Sequence, residues 1–249
     1  MNLDILDLRA FYTSPLGGVA RRIIAQKVRG RWGRAAGETL IGLGFSTPYL
    51  GSYRGEVRRL GAFMPAGQGA LVWPAVGPVS TVLVEEARLP LPDNSVDKLL
   101  AIHCLEVSEQ ARPLLREIWR VLAPEGSLLL IVPNRHGIWS RREATPFGHG
   151  QPYSRTQLER LLQDVLFTPV EWSTALHALP FGRPLAVRWA PTLERFGERF
   201  WPRFAGVIIV EARKEVAAPI TGGVATRRAP RLATAEGIVS RRSDPQGES

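Results

Sequence analysis

Between Ser80 and Asn134 the apolar positions change their period several times. Ser80–Val84 is a β-branched run that ends in Glu85 and Glu86. Leu89-Pro-Leu-Pro-Asp-Asn-Ser95 is turn chemistry, with prolines that remove donors and Asp-Asn-Ser side chains that bond locally. Asp97 opens a second apolar run, Lys98–His103, of a length that suits a strand buried on both faces. Leu114, Leu115, Ile118, Trp119 and Leu122 then recur at helical spacing, and Pro124-Glu-Gly126 stops that helix. Ser127–Val132 is another buried strand. Two such strands joined by an amphipathic helix predict a right-handed parallel crossover.

Upstream, Ser14-Pro15 caps a helix whose apolar positions are Leu16, Ala20, Ile23, Ile24 and Val28, with the stem of Lys27 covering apolar surface. Glu38–Leu43 reads as the first strand, Tyr49–Leu60 as the helix after it, and Gly69–Trp73 as the second strand. Downstream, Ser154-Arg-Thr-Gln157 is a capping box for a helix carrying Leu158, Leu161, Leu162 and Val165. Phe167–Trp172 and Gly206–Ala212 read as the last two strands. Between them, 175 to 204 is an aromatic-rich insertion in which Leu185, Trp189, Leu193, Phe196 and Phe200 form a stripe broken by Pro191. That stripe is expected to pack on the sheet; the alternatives are a substrate pocket or a membrane surface. From Val216 the periodicity vanishes and Pro, Gly, Ala, Ser and Arg dominate, which predicts a disordered basic tail over 216–249 after a domain spanning 1–215.

The segment Glu86-Ala87, Leu89-Pro-Leu-Pro-Asp93, Ser95-Val-Asp97, Leu105-Glu106 and Arg120-Val-Leu-Ala-Pro-Glu-Gly126 resembles the second half of the class I S-adenosylmethionine-dependent methyltransferase domain, of the methyltransferase 11 type. The resemblance implies a Rossmann-like, doubly wound α/β sheet of seven strands with the last antiparallel. It also implies S-adenosylmethionine as cofactor. On this reading the loop Gly42-Leu43-Gly44-Phe45-Ser46 meets the methionine part, Tyr12, just before the Ser14-Pro15 helix, reaches the cofactor, Glu86 meets the adenine amino group beside Glu85 and Ala87, and His103-Cys104-Leu105 completes the pocket. The sequence departs from the family at two points. Gly42 stands where an acid is expected, with Ser46 and Pro48 in place of later glycines. Trp73-Pro74 carries no carboxylate for the ribose hydroxyls.

After the Ser127–Val132 strand comes a loop rich in glycine, proline, histidine and aromatics, running to Tyr153. An open α/β sheet puts its ligand site at such a strand end. His136, His149 and Tyr153 are the candidates for proton chemistry with the methyl acceptor. The acceptor itself is not legible, because methyl transfer needs alignment more than a fixed triad. No His/Cys/Asp spacing suggests a metal. The competing readings are a methyltransferase-like module that has lost catalysis and, more weakly, a nucleic-acid-binding protein, which no RNA-binding motif supports.

Composition adds bounds. With 249 residues and 45% hydrophobic content the chain has ample core for one α/β domain. The net charge is +9, carried almost wholly by arginine, and only Lys27, Lys98 and Lys214 are lysines. The arginines are spread along the chain, which points to solvated faces rather than one anion-binding block. The single cysteine, Cys104, excludes an internal disulfide. The start of the chain has no apolar core segment of a signal peptide, no run reaches the ~20 residues of a membrane helix, and the expected location is the cytoplasm.

Overall fold

The computed structural model describes residues 3–178, 180, 193–194 and 196–215. Its strands are β1 (Thr39–Gly44), β2 (Arg59–Pro65), β3 (Thr81–Val84), β4 (Val96–Ile102), β5 (Leu122–Pro133), β6 (Phe167–Ala175) and β7 (Val207–Lys214). They form one sheet in the order β3-β2-β1-β4-β5-β7-β6. The first five are parallel, and β7 runs antiparallel to both β5 and β6. The expected doubly wound seven-stranded sheet is therefore present. Its strand order reverses between β1 and β4, and the carboxyl ends of strands at such a switch point are where this kind of sheet binds ligands.

The continuous apolar runs are explained by helices on both faces. In β4, Leu100 and Ile102 face one core while Leu99 and Ala101 face the other; β5 divides Leu129 and Ile131 from Leu128, Leu130 and Val132 in the same way. On the first face lie α1 (Ile5–Thr13), α2 (Pro15–Trp32) and α3 (Thr47–Leu50). On the second lie α4 (Ala111–Val121) and α5 (Arg155–Gln163). The caps follow the sequence: Ser14 accepts from the Gly17 amide at 3.1 Å, and Ser154 with Gln157 forms a reciprocal capping box.

Two expectations need correction. The helix predicted over Tyr49–Leu60 ends at Leu50 with one further 3-10 turn, Gly51–Tyr53. Gly55 at φ 78° then turns the chain, and the second strand is Arg59–Pro65, not Gly69–Trp73. The latter stretch has no regular structure, and Val72 within it is exposed. The insertion is described only at 193–194 and 196–204, so Leu185 and Trp189 lie outside the described residues. Leu193, Phe196 and Phe200 do not pack on the sheet as expected; all three are exposed. The tail expected over 216–249 also lies outside the described residues.

The family-like motif earns its residues structurally. Arg120 donates to the carbonyls of Leu89 at 3.1 Å and Leu91 at 3.0 Å, to Glu117 at 2.6 Å and to Asp93. Glu117 accepts the Leu89 amide at 2.7 Å, so the proline-rich turn is clamped onto α4. Asp97 accepts the Thr39 amide at 2.7 Å and fixes the start of β1.

Candidate cofactor site at the carboxyl edge of the sheet

β1 ends at Gly44 with φ 77°. A Cβ there would sit 2.1 Å from the Ile102 carbonyl oxygen, so only glycine lets the loop close onto β4. The Phe45 amide donates to that same carbonyl at 3.0 Å. Gly42 has a different reason to be glycine: its missing Cβ would lie 2.1 Å from Ser46 Oγ. The residue expected to be an acid thus makes room for Ser46, whose side chain fills the loop from within. Leu43 is fully buried on the other face of the sheet.

Four residues beyond the crevice converge on His103. This residue is buried and has φ 54°, a conformation uncommon outside glycine. Its ring Nδ1 lies 3.2 Å from Glu106 Oε1, and its Nε2 lies 2.8 Å from the Tyr12 hydroxyl. Tyr49 donates to the Tyr12 oxygen at 3.0 Å. One consistent set of donors runs Tyr49 to Tyr12, Tyr12 to Nε2, and Nδ1 to Glu106. Burial raises the pKa of both tyrosines, which keeps their hydroxyls available as donors. The His103 carbonyl accepts the side-chain amide of Gln68, and the main-chain carbonyl of Gln68 accepts the Ile5 amide at 2.9 Å. Tyr12 also stacks on Phe45 at 5.4 Å. The helix residue expected to reach the cofactor thus lies over the loop expected to hold it.

Cys104 and Leu105 are buried behind His103; burial, with Glu106 and Glu86 nearby, pushes the Cys104 thiol well up. On the other side, Glu85, Glu86 and Ala87 line a cavity of about 320 Å³ with Ala66, Gly67, Val84 and Val107. Its floor is apolar and its rim acidic. No carboxylate follows β2, whose end is Pro65-Ala66-Gly67; the polar residue there is the buried Gln68. Three side-chain atoms around this crevice are buried without a hydrogen-bond partner: Ser46 Oγ, Gln68 Oε1 and Glu106 Oε2. Such atoms cost free energy unless a ligand or water meets them. Glu106 stood inside the family-like Leu105-Glu106 pair without a role, and Gln68 sat in the unassigned stretch before Gly69–Trp73.

Residues 41–130 match the family model described as methyltransferase domain. With the strand order, this match and the likeness to solved structures show the Rossmann-like fold of the class I S-adenosylmethionine-dependent methyltransferases. Solved structures with this fold include the cyclase SpnF, at 22% identity over 79% of this chain and 81% of that one, with a TM-score of 0.52. A putative methyltransferase in complex with the Haloferax volcanii Trm112 methyltransferase activator has 17% identity, 82% and 94% coverage and a TM-score of 0.60. An S-adenosylmethionine-dependent methyltransferase from Mesorhizobium loti has 13% identity, 76% and 97% coverage and a TM-score of 0.54. Among curated proteins no match is found.

In this methyltransferase fold the loop after β5 borders the same crevice. Phe147 of that loop lies 5.0 Å from the His103 ring, with Trp139 behind it at 5.6 Å. Tyr153 is buried, its hydroxyl 3.5 Å from the Leu105 carbonyl, and burial pushes its pKa up to about 12. The His149 ring contacts the Glu143 carbonyl at 2.8 Å beside a cavity lined by Leu3, Asp7 and Ala10 of the N-terminal segment. His136 is exposed, and its main-chain amide donates to Asn134. The three proton-chemistry candidates therefore have separate partners; the buried His103, held at both ring nitrogens by Glu106 and Tyr12, is the group at the crevice that the sequence placed only as a cofactor contact. Among the described residues no cluster of His, Cys, Asp and Glu is suited to a metal, and no helix is long and apolar enough to cross a membrane.

Proposed function

We propose that the protein transfers a methyl group from S-adenosylmethionine to an acceptor, with the cofactor lying across the carboxyl ends of β3, β2, β1 and β4. The observation that carries this reading is the set of three unpartnered buried polar atoms at that edge. The 320 Å³ cavity beside Glu86 suits the adenine, Gln68 Oε1 is an acceptor for ribose hydroxyls, and Glu106 Oε2 is an acceptor for the ammonium of the amino-acid end. Gln68 and Glu106 thus take over from the two acids that the sequence lacks. Tyr12 leaves its place against His103 when the amino-acid end enters.

When bound, S-adenosylmethionine supplies an electrophilic methyl carbon. The protein's share is then to exclude water, align the acceptor and take up a proton where the acceptor carries one. His103, braced by Glu106, is the base nearest the crevice, and His149, Tyr153 and His136 lie in the loop after β5 as the further candidates for contact with the acceptor. The acceptor is covered by that loop and by the segment between β6 and β7.

The test is calorimetry with S-adenosylmethionine and S-adenosylhomocysteine. Saturable one-to-one binding is expected; no heat at millimolar ligand overturns the proposal. The second reading, a binding module without catalysis, is favoured by the Tyr12–His103 contact that fills the amino-acid end of the crevice. It predicts adenosine binding without competition from the amino-acid-bearing ligands, and no transfer to any acceptor.

A further inference from the structure

Between β6 and β7 the chain displays large apolar side chains to solvent. Leu193, Phe196, Phe200, Trp201 and Phe204 are each between 44% and 56% exposed, and Ile138 of the neighbouring loop is 38% exposed. They form one cluster. The Phe196 ring lies 4.4 Å from Phe200 and 5.5 Å from Trp201. Ile138, Leu193, Phe196, Trp201 and Phe204 bound a concavity of about 350 Å³, with Phe200 packed beside Phe196 at its edge. Scattered exposed hydrophobes need no explanation, but a contiguous aromatic patch on a soluble face marks a binding surface.

The segment beneath the patch is fixed. Glu194 is buried and accepts the amides of Leu176 and His177, both at 2.7 Å, with the His177 ring at 3.1 Å. A Cβ on Gly197 would lie 2.3 Å from His177 Cβ, so the backbone is seated against that residue. Glu198 pairs with Lys27 of α2 at 2.5 Å. Both described acids of the segment are thus turned toward the protein, and the aromatic rings face away from it. Its described cations, Arg199 and Arg203, are exposed. Asn134 bonds the Arg203 and Ala205 carbonyls at 3.0 and 2.8 Å, which brings the loop carrying the exposed Arg135 and Arg141 alongside. The result is an apolar aromatic centre with a cationic rim and its acids neutralised.

We propose that this face docks on the surface of an anionic lipid bilayer. Phenylalanine, leucine and tryptophan enter the boundary between headgroups and acyl chains, while arginine stems snorkel and their guanidinium groups meet lipid phosphates. The lipid occupant is favoured over single-stranded nucleic acid because the concavity is walled almost wholly by aliphatic and aromatic carbon, with only the His177 ring and the Trp201 indole N–H polar, so it offers little to a base edge. This inference stands apart from the cofactor reading and does not depend on it.

The experiment is co-sedimentation of the full chain with vesicles of phosphatidylcholine alone and of phosphatidylcholine with about one third phosphatidylglycerol. Binding to the anionic vesicles, weak or absent on the neutral ones and reduced by salt, is expected. Phe200→Ser with Trp201→Ser is expected to weaken it about tenfold or more, and Arg199→Glu with Arg203→Glu to weaken it similarly. All four side chains are exposed, so unfolding temperature serves as a control that the variants remain folded. No binding to anionic vesicles overturns the proposal, as does equal binding to neutral ones. Binding that neither double variant changes also overturns it, because the attraction then resides in other arginines of the chain. A labelled single-stranded oligonucleotide that binds through these residues while vesicles do not would reassign the face to nucleic acid, and a dimer in sedimentation that Phe200→Ser with Trp201→Ser dissolves would reassign it to a second copy.

Discussion

Gln68 donates its side-chain amide to the main-chain carbonyl of His103. The two residues follow β2 and β4, and β1 lies between those strands, so the contact bridges the end of the central strand. It spends the Gln68 N–H on the protein and leaves Oε1 as the free acceptor. Gln68→Leu keeps the volume and removes that acceptor. Affinity for S-adenosylhomocysteine is expected to fall by about 1–2 kcal/mol, the worth of one buried hydrogen bond. Calorimetry checks it: an unchanged affinity would make Gln68 a strut for His103 and nothing more.

Glu106→Gln separates the two ends of the cofactor. The amide oxygen can still accept from His103 Nδ1, but the negative charge at Oε2 is gone. S-adenosylhomocysteine is expected to bind about 1.5–3 kcal/mol more weakly, the range for a hydrogen bond to a charged group. Adenosine lacks the ammonium and should bind as to the wild type. Equal losses for both ligands would place Glu106 in the fold and not in the amino-acid subsite.

Tyr12→Phe retains the stack on Phe45 and deletes the hydroxyl that joins His103 to Tyr49. Two buried polar groups lose their partner at once. A destabilisation of about 1–3 kcal/mol is expected, with an unchanged denaturant slope. Urea unfolding measures both, and a shift within about 0.5 kcal/mol would show that water replaces the hydroxyl.

The clamp at Glu117 gives a pH dependence. The hydrogen bond from Arg120 outweighs burial and holds the Glu117 carboxyl below its ordinary value of 4.5. The unfolded chain therefore binds the proton more readily, so stability is fully present above about pH 4.5 and declines as pH falls through the lower folded value. Glu117→Gln is expected to cost about 1–3 kcal/mol at neutral pH and to flatten the decline between about pH 5 and about pH 3. Denaturation across that range decides it: a slope equal to wild type would assign the acid sensitivity to other carboxylates.

The sequence was informative where burial is two-sided. Leu99–Ile102 and Leu128–Val132 are apolar throughout because each face meets its own layer of helices, and a strand so placed leaves a run that needs no partner to be recognised. β2 was hidden for the opposite reason. It begins with the exposed Arg59 and contains Gly61, while the more apolar Ala70-Leu71-Val72-Trp73 lies outside the sheet. The crevice was legible at Gly44, where backbone geometry demands one residue type. Tyr12 was read as a cofactor contact, but its bond to His103 was not legible, nor was that of Gln68, because contacts across 91 and 35 residues leave no spacing in the chain. Nor does the sequence tell an acid that holds a ring from one that caps a turn.

β6 ends at Ala175 and β7 begins at Val207, and these two residues are paired across the sheet, with Pro133 of β5 paired to Val207 on the other side. The chain therefore leaves the sheet and returns at one point, on the edge that also carries Gly44 and His103. Lengthening a connection between two points already fixed costs little, since closure entropy grows only with the logarithm of length. The segment between them is in this sense a cassette: both of its ends are held at one place on the sheet, so a change in its length need not shift a strand register.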